Sequence, residues 1–300
     1  MPTFAELGYW KVGGPCQRFE VVEDAARLRA LIRGEGSVFV IGNGSNLLVS
    51  DDGLAGTTVR LAGALRAVDV VDEAGDSVEL RVGAGLLNAV LLNRYLGKLA
   101  GLAPLVGVPG TMGGAVAMNA GTALGEIGDV VLRVEGTDAS GDAVTVQRAD
   151  LPMAYREGGL PDGFIVTTAV LGLSRVGAAD EVVRAQAHLE RRKATQPLAL
   201  PSCGSVFRNP PPDAAGKPRA AGQLIDSVGL KGWRCGGAQI SEKHANFIVN
   251  CGGASATDVM TCIHKAWSTV RDATGVRLTP EVRVVGDWDK KLWPLGGDPG

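Results

Sequence analysis

The chain has 300 residues, 45% of them hydrophobic and 21% charged, which suggests two domains, or one large domain with an addition, around a full apolar core. Thirty Lys and Arg stand against 32 Asp and Glu for a formal net charge of −2, which argues against a general nucleic-acid binder. No apolar run is long enough to cross a bilayer, and the opening MPTFAELGYWKVGG has no basic stretch followed by an apolar one, so neither a membrane span nor a signal peptide is expected.

In chain order, Ser37 to Ile41 (SVFVI) is a compact apolar run that stops at Gly42-Asn43-Gly44 and reads as a strand. Thr57 to Leu61, Ala67 to Val71 and Val78 to Val82 read as further strands, and Leu86 to Leu99 carries apolar residues at helical spacing. Val130 to Val134 and Ala143 to Val146 flank Asp138-Ala139-Ser140-Gly141, a hairpin turn. Phe164 to Leu173 is one more strand. Asp180 to Ala194 is polar, charged and helical in pattern, and reads as a connecting helix at a domain boundary. Pro197, Pro201 and Pro210 to Pro212 then enforce loops. A short helix near Gly222 to Val228 and a strand at Phe247 to Asn250 follow. The last helix starts after Ser255, an N-cap with Asp258 three residues on, shows the stripe Val259, Ile263, Ala266, Trp267 and Val270, and ends at Gly275. Strands first, then a helix, then a mixture, make the fold class α+β with two main domains.

Four segments carry candidate chemistry. Val40 to Leu48 (VIGNGSNLL) is a strand running into a turn whose successive N–H groups can form an anion nest. It is not a dinucleotide fingerprint, because Leu47 takes the place of the third glycine and no helix obviously follows. Taken alone, it reads more readily as an ordinary tight turn. Val108 to Gly121 (VPGTMGGAVAMNAG) is long, small-residued and uncharged; such a segment lies against something flat, either a cofactor or a packed element. Two such loops suit a large dinucleotide without choosing flavin over nicotinamide. In Pro201 to Pro210, Ser205 can relay a proton if cations or N–H groups stabilise the alkoxide, although an isolated serine in a Pro-bounded turn is more commonly structural. Leu278 to Gly286 reads as a strand with Glu281 and Arg283 opposite Val282 and Val284, either a surface ion pair or a cleft carboxyl.

Five cysteines without a C-x-x-C pair indicate reduced thiols of a cytoplasmic protein, not a disulfide framework or zinc site. No two of His188, His244 and His264 have ligand spacing, so no catalytic metal is expected.

Tyr9 to Pro15 (YWKVGGP), the Gly42 to Leu48 and Pro109 to Gly121 loops, Tyr155-Arg156, Gly204 to Pro210, Ser241 to Asn250 (SEKHANFIVN) and Pro280-Glu281-Val282-Arg283 follow one another in an order that resembles the UDP-N-acetylenolpyruvoylglucosamine reductases of peptidoglycan synthesis. Only the last dozen or so residues fall outside the resemblance. It implies a two-lobed FAD-binding region of the vanillyl-alcohol-oxidase type over 1–176, with lobes of about 1–60 and 61–176. A connecting helix and α+β substrate-binding domain would follow over 177–286, then a tail at 287–300. It implies non-covalent FAD reduced by NADPH, with hydride passed on to the enolpyruvyl methylene carbon of a UDP-sugar.

By motif position, Gly42, Asn43, Gly44, Ser45, Asn46, Leu47, Pro109, Gly110, Thr111, Gly113, Gly114, Asn119 and Gly121 would bind the cofactor. Ser205 would protonate the neighbouring carbon, with Arg156 and Glu281 stabilising the enol-like intermediate. Tyr155, Arg208, Asn209 and Lys243 would bind substrate; Arg192, Lys231 and Lys243 are either contacts to its diphosphate or uridine or, equally well, solvated basic residues. Arg208 departs from the lysine expected there, and the short stretch from Arg156 to Phe164 resembles the subgroup without an inserted tyrosine loop. Nucleic acid and membranes are not expected partners, and the chain is expected to act as a monomer or weak oligomer. Another flavin oxidoreductase on the same scaffold, or a UDP-sugar-binding protein that has lost its flavin, are the competing readings.

Overall fold

A computed structural model describes residues 1–34, 36–289 and 292. The elements are α1 (Phe4–Leu7), β1 (Cys16–Val22), α2 (Ala25–Gly34), β2 (Val38–Val40), β3 (Leu47–Val49), β4 (Leu54–Leu61), β5 (Val68–Ala74) and β6 (Ser77–Gly83). Next come α3 (Asn88–Tyr95), α4 (Met112–Ala117), β7 (Gly121–Thr122), β8 (Gly125–Glu126), β9 (Val131–Thr137), β10 (Ala143–Gln147) and β11 (Ile165–Ser174). The chain continues through α5 (Ala178–Thr195), α6 (Ala221–Ser227), β12 (Arg234–Cys235), β13 (Ala238–Ile240), β14 (Ile248–Asn250), α7 (Ala256–Thr274) and β15 (Arg283–Val285). The class is α+β, as expected. Contacts group the chain into two compact units. One holds Arg18–Asn43 and Gly56–Arg191; the other holds Met1–Gln17, Gly44–Ala55 and the chain from Arg192 onward. Most of the expected tail at 287–300 lies outside the described residues.

The first unit is built on an antiparallel sheet of order β10-β9-β11-β6-β5. β11 is central and buried along most of its length, which explains its almost continuous apolar sequence. β6 alternates, sending Val78, Leu80 and Val82 into a core shared with Leu28 and Leu31 of α2 and Leu91 of α3. On the other face Arg81 and Arg133 both register with Val170 of β11. Arg81 pairs with Glu135 at 2.6 Å and Arg133 with Glu79 at 3.3 Å, so two ion pairs cross β11 and Val170 is buried beneath them. A three-stranded sheet of order β1-β4-β2 has β2 and β4 parallel.

The second unit holds the antiparallel sheet β12-β13-β14, and α7 shares its core through Val259, Ile263 and Trp267. Helix α7 forms because all of its first amides find acceptors. The Ser255 hydroxyl accepts from the Asp258 N–H at 3.0 Å, and the Asp258 carboxylate accepts from the Ser255 N–H at 3.0 Å. The Asp51 carboxylate takes the Ala256 and Thr257 N–H groups at 2.7 and 2.9 Å. Gly275, at φ +72, ends the helix in the left-handed region. A parallel pair joins β15 to β3, with Arg283 opposite Leu47 and Val285 opposite Val49.

Two differences from the sequence reading bear on the site. The segment Val108 to Gly121, read as a loop, contains α4. Its Gly113-Gly114 pair lowers helix propensity, but the Thr111 cap and burial of Met112, Ala115 and Val116 override it. The helical spacing of Leu86 to Leu99 is realised only over α3, because Leu87 bridges to Thr111 before it and Gly97, at φ +86, turns the chain after it.

Candidate active site

In the second unit, Ser205 is half-buried and follows Gly204, whose φ of +77 lets the chain turn into the segment. Val206 and Phe207, each 1% exposed, anchor that segment in the core. The Val206 carbonyl accepts from the Glu281 N–H at 2.8 Å, the Arg208 N–H donates to the Thr279 carbonyl at 2.9 Å, and Phe207 bridges antiparallel to Pro280. Two segments remote in sequence therefore run side by side, and the structure brings Ser205 and Glu281 onto neighbouring backbone. Asn46 holds Glu281 from the other side: its Nδ2 donates to the Glu281 carbonyl at 2.9 Å, while its own carbonyl accepts from the Arg283 N–H at 3.1 Å.

The same unit contains Gly44 to Leu47 of the first expected cofactor loop. Gly44 has φ +63, and a Cβ there would come within 2.8 Å of the Gly8 Cα. Its carbonyl accepts from the Tyr9 N–H at 3.1 Å. The buried Cys203 thiol donates weakly to the Gly44 and Leu47 carbonyls, and burial pushes it up to about 12, so it stays a packed thiol. Trp10 is locked by its Nε1 donating to the Ile248 carbonyl at 2.6 Å, and Asn250 Nδ2 donates to the Trp10 carbonyl at 2.9 Å.

Four expected substrate contacts of this unit also have internal partners. Asn209 Oδ1 accepts from the Ala221 N–H at 3.1 Å and so caps α6. Lys243 Nζ donates to the Lys193 carbonyl at 2.6 Å, in the last turn of α5. Lys231 pairs with Asp226 at 2.7 Å, and Arg192 Nε donates to Gln196 at 2.8 Å.

In the first unit, Gly42 and the Pro109 to Gly121 segment meet. A Cβ at Gly42 would lie 2.7 Å from Thr111 Oγ1, and Thr111 caps α4 by accepting from the Gly114 N–H at 3.4 Å. The Met112 N–H donates to the Leu86 carbonyl and the Gly113 N–H to the Ala84 carbonyl, pinning α4 across the end of β6. The side of α4 left exposed is made of Gly114 and Ala117. An uncharged surface of small residues lets a flat dinucleotide ring approach the backbone closely, which fits a bound flavin.

Asn119, 2% exposed and at φ +46, is the hub behind that surface. It donates to Glu126 Oε2 at 2.7 Å and to the Ala154 carbonyl at 2.9 Å, and accepts from the Gly128 N–H at 2.9 Å. Arg156, at φ +61, donates to the Gly121 carbonyl at 3.0 Å, lies 3.8 Å from Glu126 Oε1, and stacks 4.8 Å over the exposed Tyr155 ring. Glu126 has a position here, and Asn246 one in the second unit against the Phe207 peptides, that the sequence reading did not single out. Asn246 lies inside the SEKHANFIVN motif, whereas nothing in the sequence marks Glu126 as Arg156's neighbour.

Among the described residues, no helix is long and apolar enough to cross a membrane, and the five cysteines are free thiols.

Residues 20–147 match the FAD binding domain family, which makes the chain an FAD-binding flavoprotein. Residues 196–285 match the C-terminal domain of UDP-N-acetylenolpyruvoylglucosamine reductase. The chain is 41% identical over 283 residues to the UDP-N-acetylenolpyruvoylglucosamine reductase of Anaeromyxobacter sp. (strain Fw109-5), covering 93% of this chain and 85% of that protein. It is 41% identical over 281 residues to the reductase of the same name from Alkalilimnicola ehrlichii, covering 93% and 91%. The crystal structure of UDP-N-acetylenolpyruvylglucosamine reductase from Thermus caldophilus matches with a TM-score of 0.80 at 36% identity, over 94% of this chain and 97% of that one. The chain belongs to the UDP-N-acetylenolpyruvoylglucosamine reductase family.

Proposed function

We propose that the chain catalyses NADPH-dependent reduction of UDP-N-acetyl-3-O-(1-carboxyvinyl)glucosamine to UDP-N-acetylmuramate, a step of peptidoglycan precursor synthesis, in the cytoplasm. The observation that carries this reading is the backbone pairing of the Ser205 and Glu281 segments inside the region that matches the reductase C-terminal domain. Bound FAD supplies two-electron chemistry between NADPH and the enolpyruvyl group. Gly42 to Leu47 together with Pro109, Gly110, Thr111, Gly113 and Gly114 would hold it by close backbone approach, with Asn119 and Gly121 shaping the second loop.

The protein's own share of the reaction is a proton and a field. Reducing the carbon–carbon double bond at its methylene end builds negative charge on the substrate carboxyl. The Arg156 guanidinium and the Glu281 carboxyl group stabilise that charge, and one such contact is worth about 3 kcal/mol of barrier. The Ser205 hydroxyl gives its proton to the carbon bearing the ether oxygen, which completes the lactyl ether. Tyr155, Arg208, Asn209 and Lys243 orient the sugar nucleotide.

The test uses the purified protein with its flavin. NADPH should bleach the flavin absorbance without oxygen, and the enolpyruvyl UDP-sugar should restore it with one equivalent of UDP-N-acetylmuramate formed. A protein that binds no flavin, or whose reduced flavin the sugar nucleotide does not reoxidise, contradicts the assignment.

A further inference from the structure

Asn246 is 4% exposed and bonds to three consecutive peptides of the Ser205 segment. Its carbonyl accepts from the Val206 N–H at 2.9 Å, its Oδ1 accepts from the Phe207 N–H at 3.0 Å, and its Nδ2 donates to the Phe207 carbonyl at 2.8 Å. A carboxamide supplies an acceptor and a donor in one plane, and the partners fix which atom is which. The Asn246 N–H donates in turn to His244 Nδ1 at 3.3 Å, so the clamp is itself oriented.

The Val206 N–H belongs to the planar peptide that begins at Ser205. Fixing that N–H fixes the plane from which the Ser205 side chain departs. On the other side of Ser205 stands Gly204 at φ +77, where no side chain restrains the backbone. The Val206 carbonyl is already committed to the Glu281 N–H. The Asn246 main-chain carbonyl thus holds the Ser205–Val206 peptide, its carboxamide locks the Phe207 peptides that follow, and together they set the direction of the Ser205 Cα–Cβ bond and its offset from Glu281.

From this we infer that Asn246 is a positioning residue for the reduction, acting through Ser205; the inference rests on Ser205 being the proton donor. Asn246 has no titratable group and needs none. Displacing a reacting group by about 1 Å can cost on the order of 100-fold in rate.

Asn246→Asp keeps the acceptor for the Phe207 N–H but sets a second oxygen against the Phe207 carbonyl. Anaerobic rapid mixing separates flavin reduction by NADPH from reoxidation by the sugar nucleotide. The expected result is a reoxidation rate lower by at least about tenfold, with reduction changed by less than about twofold. In a cycle with Ser205→Ala, the double variant should be no slower than Ser205→Ala alone. Equal slowing of both half-reactions, or an Asn246→Asp factor that multiplies fully onto Ser205→Ala, overturns the inference. Normal reoxidation in Ser205→Ala itself would instead refute the proton-donor reading, and the inference with it. If Asn246→Asp does not fold, Asn246→Gln, which moves the carboxamide by one methylene, runs the same cycle. Amide exchange reads the clamp without turnover: the Phe207 N–H should exchange at least about tenfold faster in Asn246→Ala, and an unchanged rate removes the clamp.

Discussion

Asn46 donates its side-chain amide to the Glu281 carbonyl at 2.9 Å, so a residue of an N-terminal loop orients a carboxyl-bearing segment near the other end of the chain. Its own carbonyl takes the Arg283 N–H, and β3 begins at the next residue as the parallel partner of β15. Asn46→Ala should cost about 1 kcal/mol of stability in urea unfolding. It should also slow reoxidation of the reduced flavin by the sugar nucleotide more than reduction by NADPH. Unchanged stability would mean that the bond is not made in solution.

Asp51 anchors α7 through charge-assisted bonds to the Ala256 and Thr257 N–H groups, and accepts from the Thr257 hydroxyl at 2.7 Å. Asp51→Ala leaves two first-turn amides without that acceptor and removes a negative charge from the helix N-terminus. A loss of about 1–2 kcal/mol is expected in denaturant unfolding. Asp51→Asn should recover part of it, since one amide oxygen can still accept.

His244 is held below its usual pKa of 6.5, first by burial and then by the positive charge of Lys231. Its Nδ1 accepts from the Asn246 N–H, which requires the neutral ring. The native state therefore binds fewer protons than the unfolded chain between the depressed value and 6.5. The contribution of His244 to stability is fully present above the unfolded value and is lost as pH falls through it toward the native one. Wild type minus His244→Gln, measured by urea unfolding across this range, should shrink as pH drops. A difference independent of pH would show that the ring does not titrate on unfolding.

Thiol reactivity should follow burial. Cys251 is exposed, while burial pushes the Cys203 and Cys262 thiols up to about 12. Iodoacetamide on the native protein should modify Cys251 first by mass spectrometry, with Cys203 and Cys262 reacting only after denaturation. Early modification of Cys203 would mean that the Gly44 to Leu47 turn opens readily.

Much of the fold was legible because its local rules agree with the global answer. Ser255, Asp258 and Gly275 bracket α7 as a capping box and a left-handed cap, and the alternation of β6 matches a one-sided sheet face. Helix α4 was not legible, because its stability comes from tertiary burial of Met112 and Val116 and its two glycines point the other way. Helix α2 was missed too: only Leu28 and Leu31 are buried among polar neighbours. At the site, Ser205 and Glu281 were found through motifs. Their pairing rests on the Val206 carbonyl, and backbone acceptors leave no trace in residue identity. Glu126 was invisible for a related reason: its neighbours Asn119 and Arg156 are brought to it by two left-handed residues and a short turn.

The most direct test of the whole account is the reoxidation half-reaction of Ser205→Ala, followed anaerobically after reduction with one equivalent of NADPH. Flavin reduction should proceed at close to the wild-type rate, and reoxidation by the enolpyruvyl UDP-sugar should slow by about 100-fold or more, the scale of losing a general acid. Reoxidation at the wild-type rate, or equal slowing of both halves, would contradict it.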